Sequence, residues 1–430
     1  MAYCEYCNRE HNVGFVSTRL SGTDGVSLET EKWAQLFEKE QLQCFYFAGE
    51  LERPSNISYH LAEAHFTHPE IKKINRGVFG VTKRNREVTK KIHKVKVKIK
   101  DHLYNFIDKY KIDLLVPENS LTIPLNIPLG LALTEVISET NISTIAHHHD
   151  FFWERQQFMT NACGEYINMA FPPQLPVIKH VVINSMACNQ LSFRTGISAT
   201  IIPNVMDFEN SPPPSDDYAL DVREALGIGD DELLVLQPTR VVKRKGIEHA
   251  IELVHRLGSR AKLVISHASG DEGHDYECRV RDYSKLMGVK TIFVSEIIND
   301  CRGMTKDGRK IYTLSDIYPF ADLVTYPSTY EGFGNAFLEA VYYRKPIVVN
   351  NYSIYSVDIK PKGFEVIEID GYVTQKAVKL AKKVIKDPEA RKKMVDKNYE
   401  IARRNYSYKA LRWRLKALIS DCLECRSGVG

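Results

Sequence analysis

The chain has 430 residues, of which 43% are hydrophobic and 26% charged, and a formal net charge of +4. This length exceeds one ordinary hydrophobic core, so two or three domains are expected. The weak positive charge gives no reason to expect a nucleic-acid partner. No apolar run approaches the roughly 20 residues of a membrane span, and the N-terminus lacks an apolar signal region, so a cytoplasmic location is expected.

The first half of the chain alternates strand-like and helix-like segments. Apolar and β-branched runs predict strands at residues 12–18, 44–49, 113–119, 143–149, 180–185 and 199–204. Apolar residues at helical spacing predict helices at 27–40, with Ser27 as its cap, and at 129–140. This alternation is typical of an α/β domain.

A basic run spans residues 81–107 and raises the question of a membrane surface. Its apolar residues fall on one helical stripe: Val88, Ile92, Val95, Ile99, Leu103 and Phe106. The lysines therefore occupy the other faces of the predicted helix, as on an ordinary solvated helix. Its central part lacks the large aromatic side chains that interfacial binding favours, so peripheral membrane contact is the less favoured alternative.

A segment rich in Pro, Ser and Asp at residues 204–218 predicts a linker, after which the alternation restarts. Strands are predicted at 233–239, 261–269, 291–296, 323–328, 346–352 and 364–369, and a helix at 246–258. Residues 374–423 are basic and helical in pattern, with no further strand.

Near-continuous apolar strands separated by helices predict parallel sheets covered on both faces. We therefore predict an α/β protein with two doubly wound, Rossmann-like domains, residues 1–205 and 218–405, facing a central cleft. Residues 406–430 are predicted to form a C-terminal helix that packs back on the N-terminal domain. Ligands in such folds bind beyond the carboxyl ends of the strands.

The stretch 327–339, PSTYEGFGNAFLE, predicts a ligand site between a buried strand and a helix capped by Asn335. Gly332 and Gly334 allow the backbone to approach a ligand, and the helix N-terminus favours a phosphate. Glu331 and Glu339 lie on either side of this turn and can accept hydrogen bonds from hydroxyls. Sugar hydroxyls around a central phosphate describe a nucleotide-sugar.

Four basic residues follow the first strand of the second domain, in the segment QPTRVVKRKG. Breaking a sugar–diphosphate bond builds negative charge on the leaving oxygen, which fixed cations stabilise. Arg240 and Lys245 suit this task, Arg240 as a bidentate fork and Lys245 as a point charge. The alternative is an ordinary solvated basic loop, since Lys243 and Arg244 lie between them.

The segment AHHHDFFWER follows a predicted strand and carries three consecutive histidines. Strand side chains alternate faces, so His147 and His149 should share one face and His148 should oppose them. A zinc site is the disfavoured alternative, because adjacent histidines on an extended segment diverge. Residues that follow are candidates for shaping an acceptor pocket: Asp150, Trp153, Glu154 and Arg155.

Four cysteines form two C-x2-C units, Cys4 with Cys7 and Cys422 with Cys425, within a scattered and odd set of nine. The odd number argues against a secreted disulfide framework. Four thiolates of this spacing can hold structural zinc if the chain ends meet. We favour the simpler interpretation, reduced thiols near the termini, and keep structural zinc as the alternative.

Four segments resemble the retaining GT-B glycosyltransferases of family 4, the group of sucrose-phosphate synthases, trehalose synthases and mannosyltransferases. YEGFGNAFLE resembles the family's E-x7-E signature, and RVVKRKG resembles its R-x4-K-G segment. RLSGTDGVSLE resembles its glycine-rich loop, and IPNVMD its interdomain junction. The HHHDFFWER segment further resembles the mannosylglucosylglycerate synthases.

The resemblance implies an N-terminal acceptor-binding domain and a C-terminal nucleotide-sugar-binding domain. It implies catalytic roles for His147, Arg240, Lys245 and Glu331. The donor, GDP-mannose, UDP-glucose or ADP-glucose, would contact Gly25, Arg240, Lys245, Glu331, Gly332, Phe333, Gly334, Asn335 and Glu339. The acceptor would contact Gly22, Thr23, Asp24, His149, Asp150 and Trp153. No D-x-D segment ends a strand, so we expect no catalytic metal and no required cofactor.

The expected activity is transfer of mannose or glucose to a hydroxyl of a small soluble acceptor, such as a sugar, a sugar phosphate or a glycerate glycoside. Transfer to a phosphatidylinositol-type lipid is an alternative, as is nucleotide-sugar epimerisation, which needs no acceptor. A phosphorylase would usually need pyridoxal phosphate, for which no attachment motif is present. An inactive sugar-binding protein is the non-enzyme alternative. Homo-oligomerisation stays open.

Overall fold

The computed structural model describes residues 11–22, 24–268 and 274–424. Two compact units divide these residues. The first unit contains the described residues up to Asn204 together with those from Leu411 onward, and the second contains Val205–Ala410.

The first unit is built on a seven-stranded parallel sheet in the order β3-β2-β1-β4-β5-β6-β7. Its strands are β1 Asn12–Val16, β2 Gln43–Ala48, β3 Ser58–His60, β4 Leu114–Pro117, β5 Ser143–His148, β6 Ile178–Val182 and β7 Ala199–Ile201. Its helices are α1 Gly25–Lys39, α2 Pro69–Val78, α3 Arg86–Tyr110, α4 Ile127–Thr140, α5 Gln156–Met159, α6 Gly164–Ala170 and α7 Ser185–Thr195.

Helices cover both faces of this sheet because successive strand residues point to opposite sides. On β1, the Phe15 ring lies 5.8 Å from that of Phe37 in α1. The next residue, Val16, joins the core cluster that also contains Phe106 of α3 and Leu133 of α4. The two apolar layers explain why the strands of this sheet read as continuous hydrophobic runs.

The predicted stripe of α3 is buried from Ile92 to Phe106, which confirms that this basic segment is an amphipathic helix. Several of its lysines pair with glutamates of neighbouring elements. Lys100 lies 3.0 Å from Glu135 of α4, and Lys98 lies 2.6 Å from Glu63. These pairs partly neutralise the basic face.

The second unit is built on a six-stranded parallel sheet in the order β10-β9-β8-β13-β14-β15, with a separate antiparallel pair β11–β12. Its strands are β8 Leu233–Gln237, β9 Ala261–Ile265, β10 Thr291–Phe293, β11 Gly303–Met304, β12 Lys310–Ile311, β13 Leu323–Tyr326, β14 Ile347–Asn350 and β15 Ile367–Ile369. Its helices are α8 Val222–Ala225, α9 Ile247–Leu257, α10 Asp275–Leu286, α11 Leu314–Ile317, α12 Asn335–Tyr342, α13 Gln375–Lys386 and α14 Pro388–Asn405.

The last helix, α15 (Tyr408–Glu424), begins in the second unit and continues into the first. Arg412 forms an ion pair with the buried Glu40 at the end of α1, and Lys416 lies 3.2 Å from the same carboxylate. Burial alone would raise the pKa of Glu40, but these two cations bring it below its ordinary value. The carboxylate therefore stays charged and ties this helix to α1.

Each of the twelve predicted strands overlaps an observed strand, which confirms two parallel α/β sheets. The pattern missed β3, β11 and β12, because strands of two or three residues carry too few positions for periodicity. None of the helices in the described residues is long and apolar enough to cross a membrane.

Candidate functional site

Lys245 and Glu331 meet in the second unit, beyond the carboxyl ends of two adjacent strands. Lys245 follows β8 in a single 3-10 turn, and Glu331 follows β13, the neighbour of β8 in the sheet. The Lys245 Nζ donates to one oxygen of Glu331, and Arg244 Nη1 donates to the other at 2.9 Å. Both Lys245 and Glu331 are over nine-tenths buried, so this is a closed ion pair.

Burial disfavours the charged form of Glu331 and would raise the pKa of its carboxyl. The charges of Lys245 and Arg244 reverse that effect and hold the pKa of Glu331 below its ordinary value. Arg240 lies on an exposed position after β8, which ends at Gln237. Two cations of this segment, Lys245 and Arg244, therefore contact the Glu331 carboxylate.

Backbone contacts hold the two loops of this cluster together. The Thr329 N–H and hydroxyl both donate to the Arg244 carbonyl, at 2.8 and 3.1 Å. Gly246 has a φ of 56°, and a Cβ there would lie 2.5 Å from the carbonyl oxygen of Pro327. Only glycine allows this close approach, so the Lys245 loop and the Glu331 loop are built as a pair.

The glycine pair predicted before the helix has one structurally demanding member, Gly334. Its φ of 123° is unfavourable for other residues, and a Cβ there would lie 2.6 Å from the Tyr352 hydroxyl oxygen. That hydroxyl donates to the Phe333 carbonyl at 2.8 Å, and the Phe333 side chain is buried. Gly332 is half-buried in the same turn. The turn is therefore rigidly set by core contacts.

The expected cap of α12 is wrong by one residue. Gly334 is the N-cap and Asn335 is the first helical residue, because the unusual φ of Gly334 turns the chain into the helix. The helix ends at Tyr342. Within it, Glu339 is half-buried and accepts a hydrogen bond from the Tyr318 hydroxyl at 2.8 Å. This contact orients the Glu339 carboxylate.

A second cluster lies in the first unit, at the carboxyl ends of the adjacent strands β4 and β5. Glu118 follows β4 and is completely buried. The Nδ1 of His147 lies 3.0 and 3.2 Å from its two carboxylate oxygens, and the Nε2 of His149 lies 3.0 Å from one of them. The His147 ring also stacks on Trp33 of α1, with 4.2 Å between ring centroids.

The charges of this cluster follow from burial and hydrogen bonding. Burial would raise the pKa of Glu118, but its histidine neighbours hold it below the ordinary value. Burial lowers the pKa of His147. For His149 burial acts in the same direction, yet the hydrogen bond and charge of Glu118 raise its pKa. A charged pair of Glu118 and His149 beside a neutral His147 is the arrangement these effects favour.

His148 points to the opposite face, which confirms the expected alternation. Its Nε2 lies 2.9 Å from Nδ1 of His180, and its Nδ1 contacts the Thr122 hydroxyl. Adjacent histidines thus diverge, as expected, and His147 and His149 share one face. Together with Glu118 they form a group whose ligand atoms lie within 4.8 Å of one another and could hold a cation.

Sequence reasoning missed Glu118, although a signal was present. A glutamate directly after an apolar strand, LLVPE, is placed at the edge where ligands bind. It was passed over because its histidine partners lie 29 and 31 residues away. Only the adjacency of β4 and β5 reveals the relationship.

The glycine-rich loop after β1 makes hydrogen bonds with side chains of the first unit. The Gly22 N–H donates to a Glu52 carboxylate oxygen at 2.8 Å. The carboxylate of Asp24, rather than Ser27, caps α1 by accepting from the backbone of Val26 and Ser27. Gly25 is the first helical residue. Asp24 prevails as cap because its two oxygens can accept several donors together.

The remaining acceptor candidates lie around β5. Asp150 accepts from Asn119 Nδ2 at 3.0 Å and forms an ion pair with Arg155. The Trp153 ring stacks on Phe151, with 4.4 Å between centroids. Thr23 lies outside the described residues.

Three of the four cysteines proposed for zinc, Cys4, Cys7 and Cys425, also lie outside the described residues. The fourth, Cys422, is buried in α15, and its carbonyl accepts from the Ser143 hydroxyl at 2.8 Å.

Comparison with solved structures defines the fold. Sucrose-phosphate synthase from Thermosynechococcus elongatus matches with a TM-score of 0.65 at 14% identity, over 97% of this chain and 100% of that one. Two parallel-sheet α/β domains of this kind are the GT-B architecture of glycosyltransferases. The predicted GT-B fold class is thereby confirmed.

Sequence comparison gives the family. Residues 220–401 match the family described as Glycosyl transferases group 1. The chain is 32% identical to a mannosylglucosylglycerate synthase from Thermotoga maritima, covering 90% of this chain and 95% of that protein. It is 31% identical to a mannosylglucosylglycerate synthase from Petrotoga mobilis, covering 83% and 86%. The chain belongs to the group 1 glycosyltransferases.

Proposed function

We propose that this glycosyltransferase is a retaining family 4 enzyme that moves mannose or glucose from a nucleotide-sugar to a hydroxyl of a small glycerate glycoside. The observation that carries the proposal is the nearly full-length similarity to two proteins named for making mannosylglucosylglycerate. Such a product has a hexose added to a glycoside of glycerate. An acceptor of this class and GDP-mannose as donor are therefore the first choices.

The donor is assigned to the second unit. Glu331 and the backbone of Gly332, Phe333 and Gly334 bind the sugar or diphosphate, and Glu339 binds the ribose hydroxyls. Asn335, at the first turn of α12, adds to the helix N-terminus that faces a phosphate. The buried arrangement of Lys245, Arg244 and Glu331 supports this assignment. It places two cations, which suit a phosphate, next to a carboxylate, which can accept hydrogen bonds from sugar hydroxyls.

Arg240 and Lys245 stabilise the leaving diphosphate. In the proposed step the bond between C1 and the diphosphate oxygen breaks, and the acceptor hydroxyl oxygen bonds to C1 on the same face. The hydroxyl proton passes to the leaving phosphate. Negative charge grows on that phosphate as the bond breaks, so fixed cations lower the barrier.

The acceptor is assigned to the first unit, with Gly22, Asp24, His149, Asp150 and Trp153 as candidate contacts. Gly25 is assigned to the donor phosphates and His147 to the transferred sugar. The polar groups of this set lie beyond the carboxyl ends of β1 and β5, where ligands bind in parallel α/β sheets.

A transfer assay tests the proposal. The protein is incubated with GDP-mannose, UDP-glucose or ADP-glucose in the presence of glucosylglycerate, glucose, glucose phosphate or a phosphatidylinositol vesicle. Mass spectrometry then detects an acceptor enlarged by one hexose, and NMR gives its anomeric configuration. We expect glucosylglycerate to gain a hexose with the configuration of the donor. Transfer only to the lipid, conversion of the donor without an acceptor, or an inverted linkage would contradict the proposal.

A further inference from the structure

The most unusual polar group of the first unit is the Glu118 carboxylate. It has no exposure to solvent, and burying an ionised carboxylate is costly unless donors surround it. Here two imidazoles supply the donors, from residues two positions apart on the same face of β5 and its end. A chain keeps such a costly arrangement where it fixes a geometry.

Hydrogen-bond chemistry determines where the ring protons are. An ionised carboxylate only accepts, so each nitrogen that touches Glu118 must carry a hydrogen. His147 therefore has its proton on Nδ1, and His149 has one on Nε2. A neutral His147 then presents a lone pair on Nε2, a buried atom without a hydrogen-bond partner among the described residues.

The two histidines differ in accessibility. His147 is 1% exposed and clamped between Trp33 and Glu118, whereas the His149 side chain is 10% exposed. The backbone of His149 is fixed as well, since its N–H donates to the Asn119 side chain at 3.2 Å. His149 is therefore the residue of the cluster that can contact a substrate, and Glu118 and His147 hold its ring in place.

We propose that Glu118 is a positioning residue, which fixes the ring orientation and protonation of His147 and presents His149 to the hydroxyls of the sugar substrate. The catalytic meaning of this role rests on the proposed function. Glu118 acts through the two histidines, and His147 acts as its rigid support.

The same three residues are less well suited to a metal. A histidine that ligates a metal almost always donates its second ring N–H to a carboxylate, carbonyl or water. A metal held by all three residues together would bind the His147 nitrogen that faces Glu118, Nδ1, and would leave its Nε2–H without an acceptor among the described residues. The Nδ1 of His147 also lies nearly equidistant from both carboxylate oxygens, as expected for one N–H shared between two acceptors.

The test is Glu118→Gln, which keeps the shape of the side chain but replaces one acceptor with a donor. The amide has no negative charge to favour two N–H groups, and its NH2 group would lie about 3.2 Å from the N–H of His147, donor against donor, so we expect one histidine to change its protonation. We expect kcat for hexose transfer to fall about 10- to 100-fold, by analogy with the loss of carboxylates that orient metal-binding histidines. The affinity for the nucleotide, measured by calorimetry, should stay unchanged because Glu118 is not among its proposed contacts, most of which are in the second unit.

The second readout does not depend on turnover. In protein labelled with ¹⁵N-histidine, the long-range NMR spectrum should show a neutral His147 with hydrogen on Nδ1, assigned by its loss in His147→Gln. In Glu118→Gln at least one of the two residues, His147 or His149, should lose hydrogen from the nitrogen that faced the carboxylate. If the wild type transfers no hexose, the proposed function fails, and this spectrum still decides whether Glu118 fixes the histidines.

Glu40→Gln is the matched control, since Glu40 is also a buried carboxylate of the first unit that accepts from two basic residues. It should lower the melting temperature while kcat and the histidine spectrum stay those of the wild type. The inference is overturned if Glu118→Gln keeps full activity, if it loses activity only in proportion to unfolded protein, or if the histidine spectrum does not change. Stoichiometric zinc held by the wild type and lost in Glu118→Gln would also overturn it.

Discussion

Lys245 and Glu331 form a buried ion pair although 86 residues separate them along the chain. Their strands, β8 and β13, are neighbours in a parallel sheet, so both residues reach the same edge. The carboxylate proposed to accept hydrogen bonds from sugar hydroxyls and the cation proposed to stabilise the leaving phosphate are thereby placed in contact. The pair is the structural centre of the proposed donor site.

Replacing Lys245 with Met should abolish most of the activity. Without Lys245, the buried Glu331 carboxylate keeps the ion pair with Arg244. Removing one partner of a buried ion pair lowers the free energy of unfolding by about 3–5 kcal/mol. Loss of charge at the leaving group should lower kcat by about 10²–10³-fold. Urea unfolding and initial rates measure the two effects.

Lys262→Met is the control, because Lys262 of β9 pairs with Glu232 at 3.0 Å in the same unit but away from the Glu331 loop. We expect a loss of about 1 kcal/mol or less and an unchanged rate. Equal loss of activity in both variants would show that Lys245 serves stability alone.

Gly334→Ala should weaken both folding and donor binding. A φ of 123° and a contact of 2.6 Å with the Tyr352 hydroxyl oxygen allow no Cβ without movement of the turn. We expect a loss of about 1–3 kcal/mol in the free energy of unfolding and a higher KM for the donor. Gly288→Ala is the control for backbone strain alone. Gly288 also has a positive φ, 62°, but nothing lies within 4 Å of where its Cβ would be. A normal donor KM in Gly334→Ala would contradict the role of this turn.

The fold was predictable because apolar strands and helices alternate along most of the chain. Contacts between residues far apart in the sequence were harder to predict. Lys245 and Glu331 were both selected by motif, but their ion pair follows only from the strand order. Glu118 was not predicted as a site residue because a single glutamate after a strand is common. The cap of α1 was misassigned because Asp24 and Ser27 are both good capping residues, and only the backbone geometry decides between them.

Acidification should destabilise the protein through His180. Burial lowers the pKa of His180 to about 4, so the folded state resists a proton that the unfolded state accepts below its ordinary pKa of about 6.5. The unfolded state therefore binds more protons between these values, and stability falls as pH falls through this window. Urea unfolding at pH 7 and pH 5 should show a smaller loss in His180→Gln than in the wild type. His274→Gln, at a position whose side chain is 82% exposed, should lose as much as the wild type. An equal loss in all three proteins would contradict this assignment.

Chelation should leave the rate unchanged. We expect Arg240 and Lys245 to neutralise the leaving diphosphate without a divalent cation. Protein treated with EDTA and dialysed should transfer hexose as fast as untreated protein. A loss of activity that magnesium or manganese restores would show that a metal takes part, and the group Glu118, His147 and His149 would be the first place to search for it.

The most direct test of the donor site is a thermal-shift panel of GDP-mannose, UDP-glucose, ADP-glucose and the free nucleotides. It compares the wild type with Glu339→Ala, and Tyr318→Phe serves as a control that keeps the carboxylate but removes its hydrogen bond. We predict that one nucleotide-sugar raises the melting temperature of the wild type, less so that of Tyr318→Phe, and not that of Glu339→Ala. No shift of the wild type with any of these compounds, or an equal shift in Glu339→Ala, would contradict a nucleotide-sugar site at Glu339.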